Sequence, residues 1–445
     1  MRLLARVRDQ GLLELPAKSV VIVGGGLSGL AAAVQLGRFG VSAGVFDHAN
    51  ELGGRAKTEC RDGFHLNYGP HRLYDAGPAT KALRELGIAI DGAPRGAAGG
   101  YAVWRGRKYT LPVGFCSLLT TGLFDAGAKR EIARFMTSLP TLQLDALERV
   151  SIEEWARTHL SDPNVIQLVL AKVRYTTYCQ DLDLLSASAA LDQLRLSVSG
   201  AVLHVHYGWG ALVTSLEQAA VSTGTEIVRG RRVIAVTATD GFATGVRLED
   251  GALVPSGAVI IATGPQAARR LVTGLAELHE PATAVHVAAL DVALHRLPDH
   301  RAVFALGVDE SWCFSADSAI ARVAPRLGAV VHLAKYLRTG AAGTADDERQ
   351  LEGALDLLQP GWRELVAYRR FLPTVVVSHA LVGATTGGFA GRHPGRLPDL
   401  PNVFLAGDWI GPTGQLADAC VASGIKAARR VARILSVEAK HDGTH

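Results

Sequence analysis

Residues 19–47, SVVIVGGGLSGLAAAVQLGRFGVSAGVFD, decide the fold. Ser19–Gly24 is a continuous, β-branched apolar run, the pattern of a parallel strand buried on both faces. Leu27–Phe39 reads as a helix and Ser42–Asp47 as the next strand. Between the first strand and the helix, Gly24, Gly26 and Gly29 stand in GxGxxG spacing. Gly24 permits a tight turn, Gly26 lets the backbone approach a pyrophosphate, and Gly29 allows the helix to pack closely on the strand. The N-terminus of that helix, at Leu27 and Ser28, offers free N–H groups to an anion. Asp47 ends the second strand 18 residues after Gly29, where a carboxylate accepts ribose hydroxyls. A glycine-rich turn that only packs a helix on a sheet is the plainer reading, and it leaves Asp47 unexplained. A hydropathy window over residues 19–37 imitates a membrane span, but glycines in phosphate-turn order, Ser28 and Gln35 interrupt it.

A chain of 445 residues can bury a large core and build two or three domain-sized units. Its 48% hydrophobic and 20% charged residues exclude a disordered or fibrous chain. Five scattered cysteines, odd in number and without a CxxC, argue against a disulfide framework or thiolate metal site and for a reducing, cytoplasmic location. A dispersed net charge of +4 argues against nucleic acid and leaves weak contact with an anionic membrane surface open. The first 18 residues mix Leu3, Leu4 and Val7 with Arg2, Arg6, Arg8 and Asp9. They lack the apolar core of a signal peptide and read as a frayed terminal helix, or as a short amphipathic helix touching lipid. No HExxH or paired-carboxylate pattern occurs, so neither a metal site nor a hydrolase is expected.

The expected fold is α/β: a doubly wound, Rossmann-type dinucleotide-binding domain with an interleaved mixed α+β substrate domain. The first is assembled from residues 19–75, 206–265 and 376–435, the second from 76–205 and 266–375. Within 80–205 the pattern predicts amphipathic helices separated by Pro112, Pro140 and Pro163. A glycine turn at Gly208 and Gly210 precedes a helical run, Ala211–Val221, and a turn falls at Glu249–Asp250–Gly251. A strand and a helix close the chain over 403–435, and the last ten residues read as disordered.

Three further segments carry a resemblance. They are ELGGRAKT (51–58), FHLNYGPHRLY (64–74) and PNVFLAGDWIGPTGQLADACVASGIKAA (401–428). Together they resemble the FAD-dependent superfamily of amine oxidases, protoporphyrinogen oxidases and phytoene desaturases, with the phytoene-desaturase branch the nearer. The resemblance implies FAD, with Gly53, Gly54 and Arg55 along its phosphates and Gly69 and Pro70 near the isoalloxazine. It further implies the Gly407–Asp408 pair on the ribityl chain or pyrophosphate, and Val233 on the adenine. Residue chemistry agrees in two places: the fork of Arg55 suits phosphate oxygens, and a helix opening at Gln415, Leu416 and Ala417 aims N–H groups at the flavin N1–C2=O region.

The chain departs from those relatives at Asn67, where many carry an acid. His71 is a catalytic candidate facing flavin or substrate, against the commoner structural histidine. Lys335 is similar to a lysine that some amine oxidases place beside flavin N5, against an exposed strand lysine. Cys420 suggests either a covalent flavin or, more ordinarily, a buried thiol. Tyr175, Tyr178, Tyr207 and Trp209 are candidates to line a substrate cavity. Only one GxGxxG is present, since Gly208–Trp209–Gly210 lacks the third glycine, so no separate NAD(P)H domain is expected. The resemblance implies hydride removal from a substrate C–H to flavin N5, with dioxygen, a quinone or another acceptor completing the cycle. Desaturation of an apolar, isoprenoid-like molecule is the first expectation and oxidation of a small amine the second. A flavin-dependent isomerase and a non-redox lipid-binding escort are the alternatives from other classes.

Overall fold

The computed structural model describes residues 19–94, 100–272 and 282–442. The expectations for the first 18 residues lie outside that range. One sheet has six strands in the order Glu226–Val228, Ala43–Phe46, Val20–Val23, Ala258–Ile261, Leu400–Leu405 and Arg396–Leu397. The first five are parallel, and the last is an antiparallel edge. Numbered along the chain, the parallel strands run 3-2-1-4-5, the doubly wound order that reverses direction next to the first strand. Val20–Val23, Ala43–Phe46 and Ala258–Ile261 are buried at every position, as strands covered on both faces must be. The helix Leu27–Arg38 packs on one face against the final helix, Leu416–Asp442. These helices touch so closely at Gly424 that a Cβ there would lie 2.1 Å from the Ser28 carbonyl oxygen. The final helix extends past the end expected at residue 435. Val431 and Leu435 are its last described core contacts, and the helix formers Glu438, Ala439 and Lys440 carry it onward.

A second, seven-stranded sheet follows the order Val366–Ser378, Val285–Leu294, Ala329–Leu337, Trp312–Ser315, Phe304–Gly307, Tyr101–Trp104 and Arg107–Thr110. Helices Ala126–Ser138, Ile152–His159, Pro163–Thr177 and Ala187–Ser199 share one apolar core with it, through Phe135, Trp155, Leu168 and Leu191 against Val287 and Leu306. Residues 80–205 are therefore not all helical. Tyr101–Thr110 is a hairpin, and Arg105 and Gly106 both have positive φ (49° and 69°), the two-residue turn that matches strand twist. Pro163 does stand at a break between helices, Ile152–His159 and Pro163–Thr177, and opens the second at its first position behind the Asp162 cap. The long strand Val366–Ser378 ends beside the first sheet and brings Val376 and Val377 to the groove between the two layers.

Candidate functional site

The groove, about 630 Å3, opens at the carboxyl ends of Val20–Val23 and Ala258–Ile261, where the doubly wound order reverses. The three glycines have different surroundings. Gly24 has φ +106°, and a Cβ there would lie 2.7 Å from the Ala262 carbonyl oxygen. A Cβ on Gly29 would lie 1.9 Å from the Gly24 carbonyl oxygen, so helix and strand touch through it. Gly26 lines the groove, and the nearest atom to a Cβ there is 3.9 Å away. Leu27 and Ser28 follow on the same wall, and no side chain caps the helix they begin. Its first turn thus borders an open cradle into which a Cβ at Gly26 would project. That cradle fits a pyrophosphate.

Asp47 is buried beside this turn. Its Oδ2 accepts from the Gly25 N–H (2.8 Å) and its Oδ1 from the Ala49 N–H (2.8 Å). Val233, between Arg232 and Ile234, lines the groove too, and the Arg231 N–H donates to the Asp47 carbonyl (3.0 Å). The loop carrying Gly53, Gly54 and Arg55 is stitched to the phosphate turn by the Gly53 N–H donating to the Gly25 carbonyl (2.8 Å). Gly53 and Gly54 both need positive φ to make that bend.

Across the groove stand Gly407 and Asp408. Asp408 is fully buried, and its carboxylate accepts from Arg55 Nη1 (2.7 Å), the His379 N–H (2.9 Å) and His379 Nδ1 (3.2 Å). Burial alone would push this carboxyl up; Arg55 and His379 outweigh it and hold the group well below the usual carboxylate range. Leu416, Ala417 and Cys420 present the first turn of the final helix to the groove. Leu416 has φ +55°, a conformation rare for a branched side chain, set where the helix opens. Gln415 does not face the groove: its Nε2 donates to the Ala189 carbonyl (2.9 Å), because the turn at Gly414 points its side chain into the helical layer. Burial pushes the Cys420 thiol up to about 12, so it is no thiolate nucleophile at neutral pH.

The inner end of the groove is walled by Pro70, His71, Arg72, Tyr178, Trp209 and Val377. Beyond it a smaller pocket of about 40 Å3 adds Gly69, Tyr175, Asp291, Cys313, Asp317 and His332. Tyr68 lines the groove, whereas Tyr207 lies exposed on the surface beside Arg322 and takes no part. His71 packs on Trp209 at 4.8 Å, with Nδ1 2.9 Å from the Gly69 carbonyl and Nε2 3.0 Å from the Arg55 carbonyl. Burial lowers its pKa to about 4, which keeps the ring neutral. It lines both the groove and the inner pocket.

Lys335 is not brought to the site. Along Ala329–Leu337, His332 and Ala334 face the inner pocket, and strand alternation sends Lys335 to the opposite face, onto Asp347 (2.6 Å). Asn67 has a different task from the acid it replaces. Its Oδ1 accepts from the Trp209 N–H (2.9 Å), while Thr58 Oγ1 accepts from the Gly210 N–H (2.8 Å). Side chains thereby occupy the N-terminus of the helix Trp209–Ser222. Thr263 and Gly264 line the groove where the buried strand of IIATG (Ile260–Gly264) ends in a glycine turn, a pattern legible in the sequence. Sequence reasoning missed His379, which no local pattern marks, because it gains its meaning from Asp408, 29 residues away.

The sequence profile of the flavin-containing amine oxidoreductases matches residues 27–298, more than half of the chain. The coproporphyrinogen III oxidase of Propionibacterium freudenreichii subsp. freudenreichii is 35% identical over 107 residues, 24% of this chain and 20% of that protein. A 4,4'-diapolycopene oxygenase of Methylomonas sp is 22% identical over 283 residues, 54% of each chain. The chain thus spans between a fifth and about half the length of these curated relatives. Among solved structures, a putrescine oxidase with redesigned cofactor binding superposes with TM-score 0.72 at 17% identity, covering 94% of this chain and 99% of that one. An oxidoreductase from Methanosarcina mazei gives TM-score 0.71 at 17% identity, covering 92% and 99%. These likenesses establish the fold. Rossmann order, phosphate turn and matched profile agree that the chain belongs to the flavin-containing amine oxidoreductases, a family of FAD-dependent oxidoreductases.

Proposed function

We propose that this chain is an FAD-dependent oxidoreductase that takes hydride from a C–H bond of an apolar substrate, most simply in a desaturation. One observation carries the reading: a single groove joins an uncapped helix N-terminus at Gly26–Ser28 to an aromatic and aliphatic wall at Tyr178, Trp209, Val377 and Leu416. When bound, FAD supplies the two-electron acceptor, which dioxygen, a quinone or another acceptor reoxidises. Asp47 and Val233 would hold the adenosine end. Gly24, Gly26, Ser28, Gly53, Gly54 and Arg55 would hold the phosphates, and Asp408 keeps Arg55 aimed. Gly69, Pro70, Leu416 and Ala417 would border the ring system, with the helix N-terminus stabilising negative charge there. The apolar wall excludes water from the reacting C–H bond and orients it. The buried Arg72 guanidinium at the inner end works against the second reading, a cationic amine. Among the described residues no helix is long and apolar enough to cross a membrane.

Two measurements test this reading. Asp47→Asn keeps the shape but loses the charge on the ribose bonds. Charge-assisted hydrogen bonds contribute about 1.5–3 kcal/mol, so FAD is expected to bind about ten- to a hundredfold more weakly in a fluorescence titration. An unaltered affinity would remove Asp47 from the cofactor site. The second concerns electron entry. The helix N-terminus at Trp209 is already taken by Asn67 and Thr58 and offers no second dinucleotide site. NADH and NADPH should therefore reduce the bound flavin no faster than free FAD when mixed anaerobically by stopped flow. Rapid, saturable bleaching by either nucleotide would overturn the substrate-as-donor reading.

A further inference from the structure

Arg72 stands where the groove opens into the inner pocket, and it lines both. Only 9% of the residue is exposed. Its guanidinium cannot shed its proton in a protein, so a full positive charge is buried at this wall. The rings of Tyr175 and Tyr178 flank it at 3.6 Å and 4.2 Å. One N–H donates to the Tyr175 carbonyl, and another points at Cys313 Sγ (3.7 Å). Among the described residues no carboxylate pairs with it.

The carboxylates of the pocket serve other cations. Asp291 accepts from Arg370 Nη2 (2.6 Å) and from His332 Nδ1 (2.6 Å). Asp317 accepts from Ser315 Oγ (2.6 Å) and is flanked by His332 Nε2 (3.6 Å) and His204 Nδ1 (3.5 Å). Glu59 and Asp291 hold Arg370, Asp291 and Asp317 hold His332, and none of the three reaches ion-pair distance of Arg72. Aromatic faces offset part of the cost of burying a cation but do not use the in-plane N–H donors. The Tyr175 carbonyl and Cys313 Sγ take one N–H apiece, and the donors that remain keep the planar fork geometry that recognises a carboxylate through two parallel hydrogen bonds. The pocket's 40 Å3 is room on the order of three waters, enough for a carboxylate and too little for a phosphodiester.

We infer that Arg72 anchors a carboxylate of the substrate, so that the substrate is an apolar body with one acidic end. This rests on the reading above, in which the substrate lies at the inner end of the groove beside FAD. The anchored acid fixes the depth of entry and so selects which C–H bond meets the flavin. A cationic amine of the same shape is excluded by the same charge.

The test uses FAD-loaded protein and three probes of one shape: benzoate, benzamide and benzylamine. Flavin absorbance first establishes that the protein holds its cofactor; a colourless protein that gains no flavin spectrum on adding FAD defeats the functional reading itself. Calorimetry then reads probe binding directly. Benzoate is expected to bind at least tenfold more tightly than benzamide, and benzylamine not to bind measurably. Arg72→Met should lose at least tenfold in benzoate affinity at unchanged flavin content, and Arg72→Lys, which keeps the charge without the fork, should lose less. Benzamide or benzylamine binding as tightly as benzoate overturns the inference while leaving the flavin reading intact. So does an Arg72→Met protein with undiminished benzoate affinity. If that variant does not fold, the comparison of the three probes on the unaltered protein still decides.

Discussion

Asp408→Ala is expected to lower the unfolding free energy of the cofactor-free protein by about 3 kcal/mol, read as a fall in the urea midpoint. Asp408 has no exposed surface and ties together two segments distant in sequence, Arg55 at 2.7 Å and His379 through both its backbone N–H and its ring. Removing one partner of a buried ion pair typically costs about 3–5 kcal/mol, because the other charge stays behind without compensation. The Arg55 side chain is 32% exposed to the groove, so solvent relieves part of that cost and the lower end applies. The pH dependence has a definite sign. The folded-state pKa of Asp408 is depressed, so its contribution is fully present above the unfolded value of about 3.9 and is lost as pH falls below it. Asp408→Asn should therefore flatten the acid limb of the stability curve below about pH 4. A wild-type midpoint in Asp408→Ala would show that Arg55 finds another partner and that the pair does not hold the groove together.

The second large effect separates two glycines three residues apart. Gly29→Ala drives a Cβ to 1.9 Å from the Gly24 carbonyl oxygen, a backbone atom that cannot rotate away. Helix and strand must part, so the variant should be insoluble or lose several kcal/mol of stability, on the order of the worst overpacking substitutions. Gly26→Ala is the converse. Gly26 has φ −80° and ψ −176°, which alanine adopts without strain, and the nearest atom to the new Cβ is 3.9 Å away. That methyl projects into the groove where a pyrophosphate would pass. The protein should melt like the parent by circular dichroism yet retain FAD at least about a hundredfold less well, a loss of about 2.7 kcal/mol. A purified Gly26→Ala protein with full flavin content would move the phosphates away from this turn.

Much of the site could be read in one dimension because its parts are local. The strand–turn–helix at 19–47 announces itself through an apolar run, three glycines whose spacing serves backbone needs, and an acid at a strand end. Each of those signals depends on neighbours within a few residues, and the same holds for Gly53–Gly54 and for the opening of the final helix. The hairpin at 101–110 was also local, but Tyr101–Thr110 is short and partly exposed, so its turn at Arg105–Gly106 was the only strong mark.

Side-chain direction was the part that sequence alone left undetermined. Lys335 and Ala334 are adjacent, yet strand parity puts one on an outer helix and the other at the inner pocket. Gln415 opens the right helix and still turns away from the groove. Asn67 became a cap for a helix 142 residues further on, and Arg55 found its carboxylate 353 residues away. That no carboxylate contacts Arg72 among the described residues is a property of the assembled pocket, since Asp291 and Asp317 are held by Arg370 and His332. The sequence by itself determined the backbone frame of the cofactor groove, because glycine geometry and strand burial are set locally. Tertiary structure alone decided which charged groups meet, because ion pairing is fixed only when sheet register and helix packing bring distant segments within a few ångströms.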